Sequence, residues 1–140
     1  MCLLRLSALG DVTHVVPLVR TLQAARPDTP IHWIIDKVGH KLLDGLPGVV
    51  FHAYDKKTGM AGVKELHKQP PPGRFDALLQ MQVAFRANLL SACVPAERRI
   101  GSVRTRSKDL RGLFRTERTP DRPGIHVLDA IGSFCEPLGL

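Results

Sequence analysis

Aromatic residues are scarce in this 140-residue chain, with one Trp, one Tyr and five Phe, and only Phe114 interrupts its arginine-rich segment. That scarcity argues against a single-stranded nucleic-acid surface built on base stacking. Cysteine is scarcer still. Cys2, Cys93 and Cys135 are odd in number, far apart and without a C-x-x-C pair, which excludes a disulfide framework and suggests no zinc site. His32, His40, His52 and His67 show no ligand spacing either, so no metal is expected. No run approaches the roughly 20 apolar residues of a membrane span. The opening MCLLRLSALGD has neither the basic leader nor the apolar core of a secretory signal, so a cytoplasmic protein is expected. Repeats and low-complexity tracts are lacking. Acidic residues are outnumbered 13 to 20 by Lys and Arg; the net charge of +7 points to an anionic partner, whether nucleic acid, a membrane surface or a phosphorylated small molecule.

What is present is alternation. With 44% hydrophobic residues the chain can bury one core, and one globular domain over 1–140 is expected. Apolar runs at Cys2–Leu6, Ile31–Ile35, Val49–Ala53 and Phe75–Met81, with a short one at Arg99–Gly101, predict five strands. Between them, helical spacing appears over Val15–Ala25, Val38–Leu43, Met60–His67 and Phe85–Cys93. A last helix is predicted from His126 to Glu136, ended by Pro137. Continuous apolar strands alternating with helices predict an α/β fold, a Rossmann-like doubly wound parallel sheet. The Pro70–Gly73 break reads as a loop, not a domain linker.

In such a sheet ligands sit beyond the carboxyl ends of the strands. SALGDVTH, after the first strand, lies there and lacks the G-x-G-x-x-G of a dinucleotide site. Asp11 has two readings. As a helix N-cap it would accept a backbone N–H, but Pro17 would then fall inside the helix. A helix starting near Thr13 or His14 leaves Asp11 in the loop, free to face a ligand. His14 and His126 read as structural. The segment Glu97–Arg122 sets nine cations, among them Arg98, Arg99, Lys108 and Arg122, against four anions; it is either a phosphate site or a solvated basic face. Lys56 and Lys57 fall on the same sheet edge as Asp11. Gln80 and Gln82 bracket the end of the fourth strand, placed either to bond sugar hydroxyls or to fasten a loop, and Arg86 follows near a helix start.

Four stretches carry a family likeness: LLRLSALGDVTHVVPLVRTLQAARP, then IHWIIDKVGHKLLDGLPGV with DKK after the third strand, FDALLQMQVAFRANLL, and HVLDAIGSFCEPLGL. Together they resemble glycosyltransferase family 9, the heptosyltransferases of the bacterial lipopolysaccharide inner core. The resemblance implies the N-terminal, acceptor-binding half of a two-domain GT-B enzyme, with the donor-binding domain absent from this chain. It implies inverting transfer of heptose from ADP-heptose to a phosphorylated Kdo–lipid A acceptor, with no cofactor beyond the donor and peripheral contact with the inner face of the inner membrane. Asp11 maps onto the family's general base. Lys56 or Lys57, Arg86 and Lys108 match basic positions near acceptor phosphates, and Gln82 matches a polar position after the fourth strand. A non-enzymatic basic module for nucleic acid or another phosphorylated ligand is the rival reading.

Overall fold

A computed structural model describes residues 1–68, 73–82, 84–101, 115–120 and 122–140. Among them run β1 (Cys2–Leu4), α1 (Leu9–Thr13), α2 (Val16–Ala25), β2 (Ile31–Asp36), α3 (Lys37–Leu43), β3 (Val49–Tyr54), α4 (Met60–Lys68) and β4 (Phe75–Gln80). α5 (Phe85–Cys93), β5 (Ala96–Gly101), β6 (Arg115–Arg118) and α6 (Val127–Gly132) complete the order. All pairings are parallel, and the strands lie in the order β3-β2-β1-β4-β5-β6. This is the doubly wound order expected of the sequence, and its direction reverses between β1 and β4.

The apolar strands are continuous because both faces are covered. In β1, Leu3 faces one core with Val12, Val19, Leu22, Trp33 and Phe134, while Cys2 and Leu4 face the other with Ile34, Val63 and Leu90. α1, α2 and the C-terminal turns therefore lie over one face, α4 and α5 over the other.

The structure corrects four sequence-based expectations. A sixth strand, β6, pairs with β5; its Arg-Thr-Glu-Arg run has no apolar signal. β5 begins at Ala96 instead of Arg99, taking in the polar Glu97 and Arg98. The last helix stops at Gly132 and passes into a 3-10 segment, Ser133–Leu138, that contains Pro137. Finally, five residues of the first loop form α1, so the helical region starts ahead of Thr13 and Pro17 falls in the first turn of a separate α2.

His32 of β2 and His52 of β3 meet with Nδ1 and Nε2 2.9 Å apart. Their planes differ by 11° and their centroids lie 5.2 Å apart, which is the N···N contact extended by the radius of each ring. The rings are thus edge to edge, one donating N–H to the other. Burial holds both pKa values below the ordinary one, helped at His32 by the N-terminal ammonium and at His52 by His32. The unfolded chain therefore takes up protons first as the pH falls. The pair's contribution is complete above about pH 6.5 and is lost below it. Urea midpoints are expected to fall between pH 7.5 and pH 5.5, above the carboxylate range, and to fall less in His52→Gln; an equal slope in the variant would remove the pair as the cause.

Candidate acceptor and general-base site

The carboxyl ends of β1 and β4 flank the point where strand order reverses, and the loop between β1 and α1 rises there. It is fixed from beneath. Gln82 Oε1 accepts from Leu6 N at 2.8 Å and Ser7 N at 3.4 Å, and Trp33 Nε1 donates to the Arg5 carbonyl at 3.1 Å. Gln82 thus fastens the loop through its oxygen, while its Nε2 makes no hydrogen bond among the described residues. Gln80 donates to Asn88 of α5.

Asp11 stands in the first turn of α1, neither the cap nor a free loop residue. Its Oδ2 accepts from Ala8 N at 3.3 Å, closing the helix start as a first-turn acid does. The same oxygen pairs with Arg5 Nη2 at 2.7 Å. The Asp11 side chain is 43% exposed and that of Arg5 20%. Burial alone would raise the carboxyl. The Ala8 amide, then the charge and hydrogen bond of Arg5, then His14 outweigh it, so Asp11 is held below the usual carboxylate range. His14 lies one turn on, its buried Nδ1 without a hydrogen bond among the described residues.

Sequence reading passed over Arg5. The signal was visible, a lone cation inside an apolar run. Its guanidinium also donates through Nη1 to the Met81 carbonyl at the end of β4, bridging the two strands at the reversal.

The lysines separate clearly. Lys56 Nζ pairs at 2.8 Å with Asp36, a buried carboxylate whose other oxygen caps α3 at Gly39 N. Lys57 is exposed and makes no ion pair among the described residues. Its backbone N–H donates to Asp55, which also takes Lys37 at 3.1 Å. Arg86 is exposed and reaches the Lys56 carbonyl at 3.3 Å, drawing the start of α5 to the turn after β3. Leu9, Val38, Met60 and Phe85, at or next to the starts of α1, α3, α4 and α5, are all exposed, Phe85 at 75%. They form an apolar rim on this edge.

The arginine-rich segment divides differently from its sequence reading. Arg98 makes a two-point pair with Glu117 at 2.7 Å each. Arg99 is buried, donating to the Ser91 and Val94 carbonyls, and burial lowers its pKa. Arg122 pairs with Glu136 at 3.1 Å. These three bind the protein to itself. Lys108, Arg104, Arg106 and Arg111 lie outside the described residues.

No group of three or more metal-ligating side chains occurs among the described residues, and no helix there is long and apolar enough to cross a membrane. A groove of about 380 Å³ at the opposite, amino end of the strands is lined by Met1, Asp28, His32, Arg74 and Asp76, remote from Asp11.

No protein-family profile matches the chain. It is 43% identical over all 140 residues to the lipopolysaccharide core heptosyltransferase OpsX of Haemophilus influenzae, of which it spans 40%. Its fold matches a glycosyl transferase family 9 protein of Veillonella parvula with a TM-score of 0.81 at 23% identity, covering 99% of this chain and 41% of that one. The Escherichia coli heptosyltransferase WaaC with ADP matches at 0.79 and 17% identity, covering 99% of this chain and 47% of that one. The chain is thus similar to a heptosyltransferase along its whole sequence and shares the fold of a glycosyl transferase family 9 protein, and it spans about two fifths of its curated relative's length.

Proposed function

We propose that the protein carrying this segment transfers heptose from ADP-heptose to a phosphorylated Kdo–lipid A acceptor of the lipopolysaccharide inner core, the segment supplying the acceptor site and the general base. The observation that carries this reading is Asp11: an ionised, half-exposed carboxylate at the strand-order reversal, hydrogen-bonded among the described residues through Oδ2 alone. In the reaction, the acceptor hydroxyl gives its proton to Asp11 as its oxygen bonds to the anomeric carbon. The bond from that carbon to the phosphate oxygen breaks, its electron pair leaves with ADP, and the configuration inverts. Ala8 and Arg5 hold the Asp11 carboxyl below its ordinary pKa, which weakens it as a base, so proton transfer belongs late, as the new bond forms. The chain's own residues need no cofactor for this step.

Lys57 and Arg86 are suited to the acceptor's phosphates, and Gln82 Nε2 to a sugar hydroxyl; Lys56 supports them through Asp36. Lys108 keeps its proposed acceptor role from the family pattern alone. Phe85 and Met60 beside these cations support peripheral contact with an anionic membrane surface, where the acceptor is anchored. A nucleic-acid module is supported poorly, because Arg98, Arg99 and Arg122 are committed to internal contacts.

The test is turnover: the full-length protein incubated with ADP-heptose and Kdo–lipid A is expected to release ADP and add one heptose, and neither event with intact protein would sink the reading. Lys57→Gln is expected to raise the acceptor KM about 5–10-fold, the worth of roughly 1–1.4 kcal/mol for one exposed charge contact, with kcat little changed. An unchanged KM would remove Lys57 from the acceptor site.

A further inference from the structure

We infer that Arg5 is a positioning residue that fixes which oxygen of Asp11 acts as the base, turning Oδ1 toward the acceptor hydroxyl. This rests on the reading of Asp11 as general base. Oδ2 is engaged twice, by Ala8 N at 3.3 Å and by Arg5 Nη2 at 2.7 Å. Oδ1 makes no hydrogen bond among the described residues, so it is the oxygen freer to receive a proton.

The guanidinium is itself held. Nη1 donates to the Met81 carbonyl, the Arg5 backbone carbonyl accepts from Trp33, and Leu6 N is tied to Gln82. A planar fork anchored on β4 presents its second nitrogen at a fixed height above β1. The carboxylate on α1 therefore has one preferred rotation. A lysine would carry all its donors on one nitrogen, in place of the two fixed nitrogens that meet Met81 O and Asp11 Oδ2 here.

Arg5 also helps to lower the Asp11 pKa, which gives a readout that simple loss of packing would not move. In the full-length protein, the acid limb of kcat/KM against pH is expected to move upward in Arg5→Gln, with kcat falling roughly 10–100-fold through misorientation and both KM values little changed. Arg5→Lys should restore part of the pH profile, since the charge returns, but less of kcat, since the fork does not.

Asp11→Asn, measured alongside, separates the two readings. If it turns over like wild type, Asp11 is no base and the proposed mechanism falls. If it is inactive while Arg5→Gln keeps both the wild-type acid limb and kcat, only the role given to Arg5 is overturned. Should Arg5→Gln fail to fold, Arg5→Lys carries the test: wild-type kcat with an unmoved acid limb overturns the inference, and a reduced kcat with unchanged KM values upholds it.

Discussion

Under the proposed mechanism, Asp11→Asn is expected to lower kcat of the full-length protein roughly 10²–10⁴-fold, the usual worth of a positioned general base. The substitution suits the geometry. An asparagine can turn its oxygen to Ala8 N and Arg5, keeping both contacts of Oδ2, and then presents an NH₂ group where the proton acceptor was. That group can hold an acceptor hydroxyl but cannot take its proton. Stability should change by less than about 1 kcal/mol, because the Arg5–Asp11 pair is partly exposed and screened. Acceptor affinity by calorimetry is expected to stay near wild type. Turnover close to wild type would remove Asp11 from the chemistry, and a collapse of stability would reassign it to structure.

The largest effect on stability is expected from Trp33→Ala, about 3–5 kcal/mol, against a total of roughly 5–15 kcal/mol for an ordinary domain. Trp33 is fully buried on β2, packs against Phe51 with centroids 5.7 Å apart, and holds the Arg5 carbonyl. Truncation opens a cavity in the larger core and leaves that carbonyl without its donor. Trp33→Phe keeps most of the volume and loses the N–H, so about 1–2 kcal/mol is expected. Far-ultraviolet dichroism through a urea titration would measure both, since Trp33 is the one tryptophan. Equal losses in the two variants would show that the hydrogen bond, and not the cavity, dominates.

Much of the sheet could be read from residues because parallel strands are covered on both faces, so Ile31–Ile35 and Phe75–Met81 stand out as apolar runs. β6 could not, since an edge strand needs no apolar alternation when Arg98 and Glu117 pair across it. α1 was equally hidden, because five residues are too few to display helical spacing. Arg99 defeats hydropathy in another way: its charge is buried by bonding to the carbonyls that end α5. The place of the candidate site was proposed from order alone, strand then loop then helix. Its inner wiring was not. Seeing that Lys56 is paired and Lys57 is not, among the described residues, required the buried Asp36, and finding the partner of Asp11 required the loop to fold back over the end of its own strand.

The position of β1 has a consequence during synthesis. β1 is an inner strand made before both of its neighbours, joined to β2 and, through Cys2–Leu78 and Leu4–Gln80, to β4. At about 5–20 residues per second, the nascent chain waits roughly 4–15 seconds between making residue 4 and residue 80. Throughout that interval Cys2–Leu4 has at most one neighbour, and the Met81 and Gln82 groups that anchor the Arg5 loop do not yet exist. The loop that carries Asp11 is therefore made well before the β4 groups that anchor it, which makes this sheet edge a late product of translation and leaves β1 as an apolar stretch in need of chaperone cover until β4 emerges.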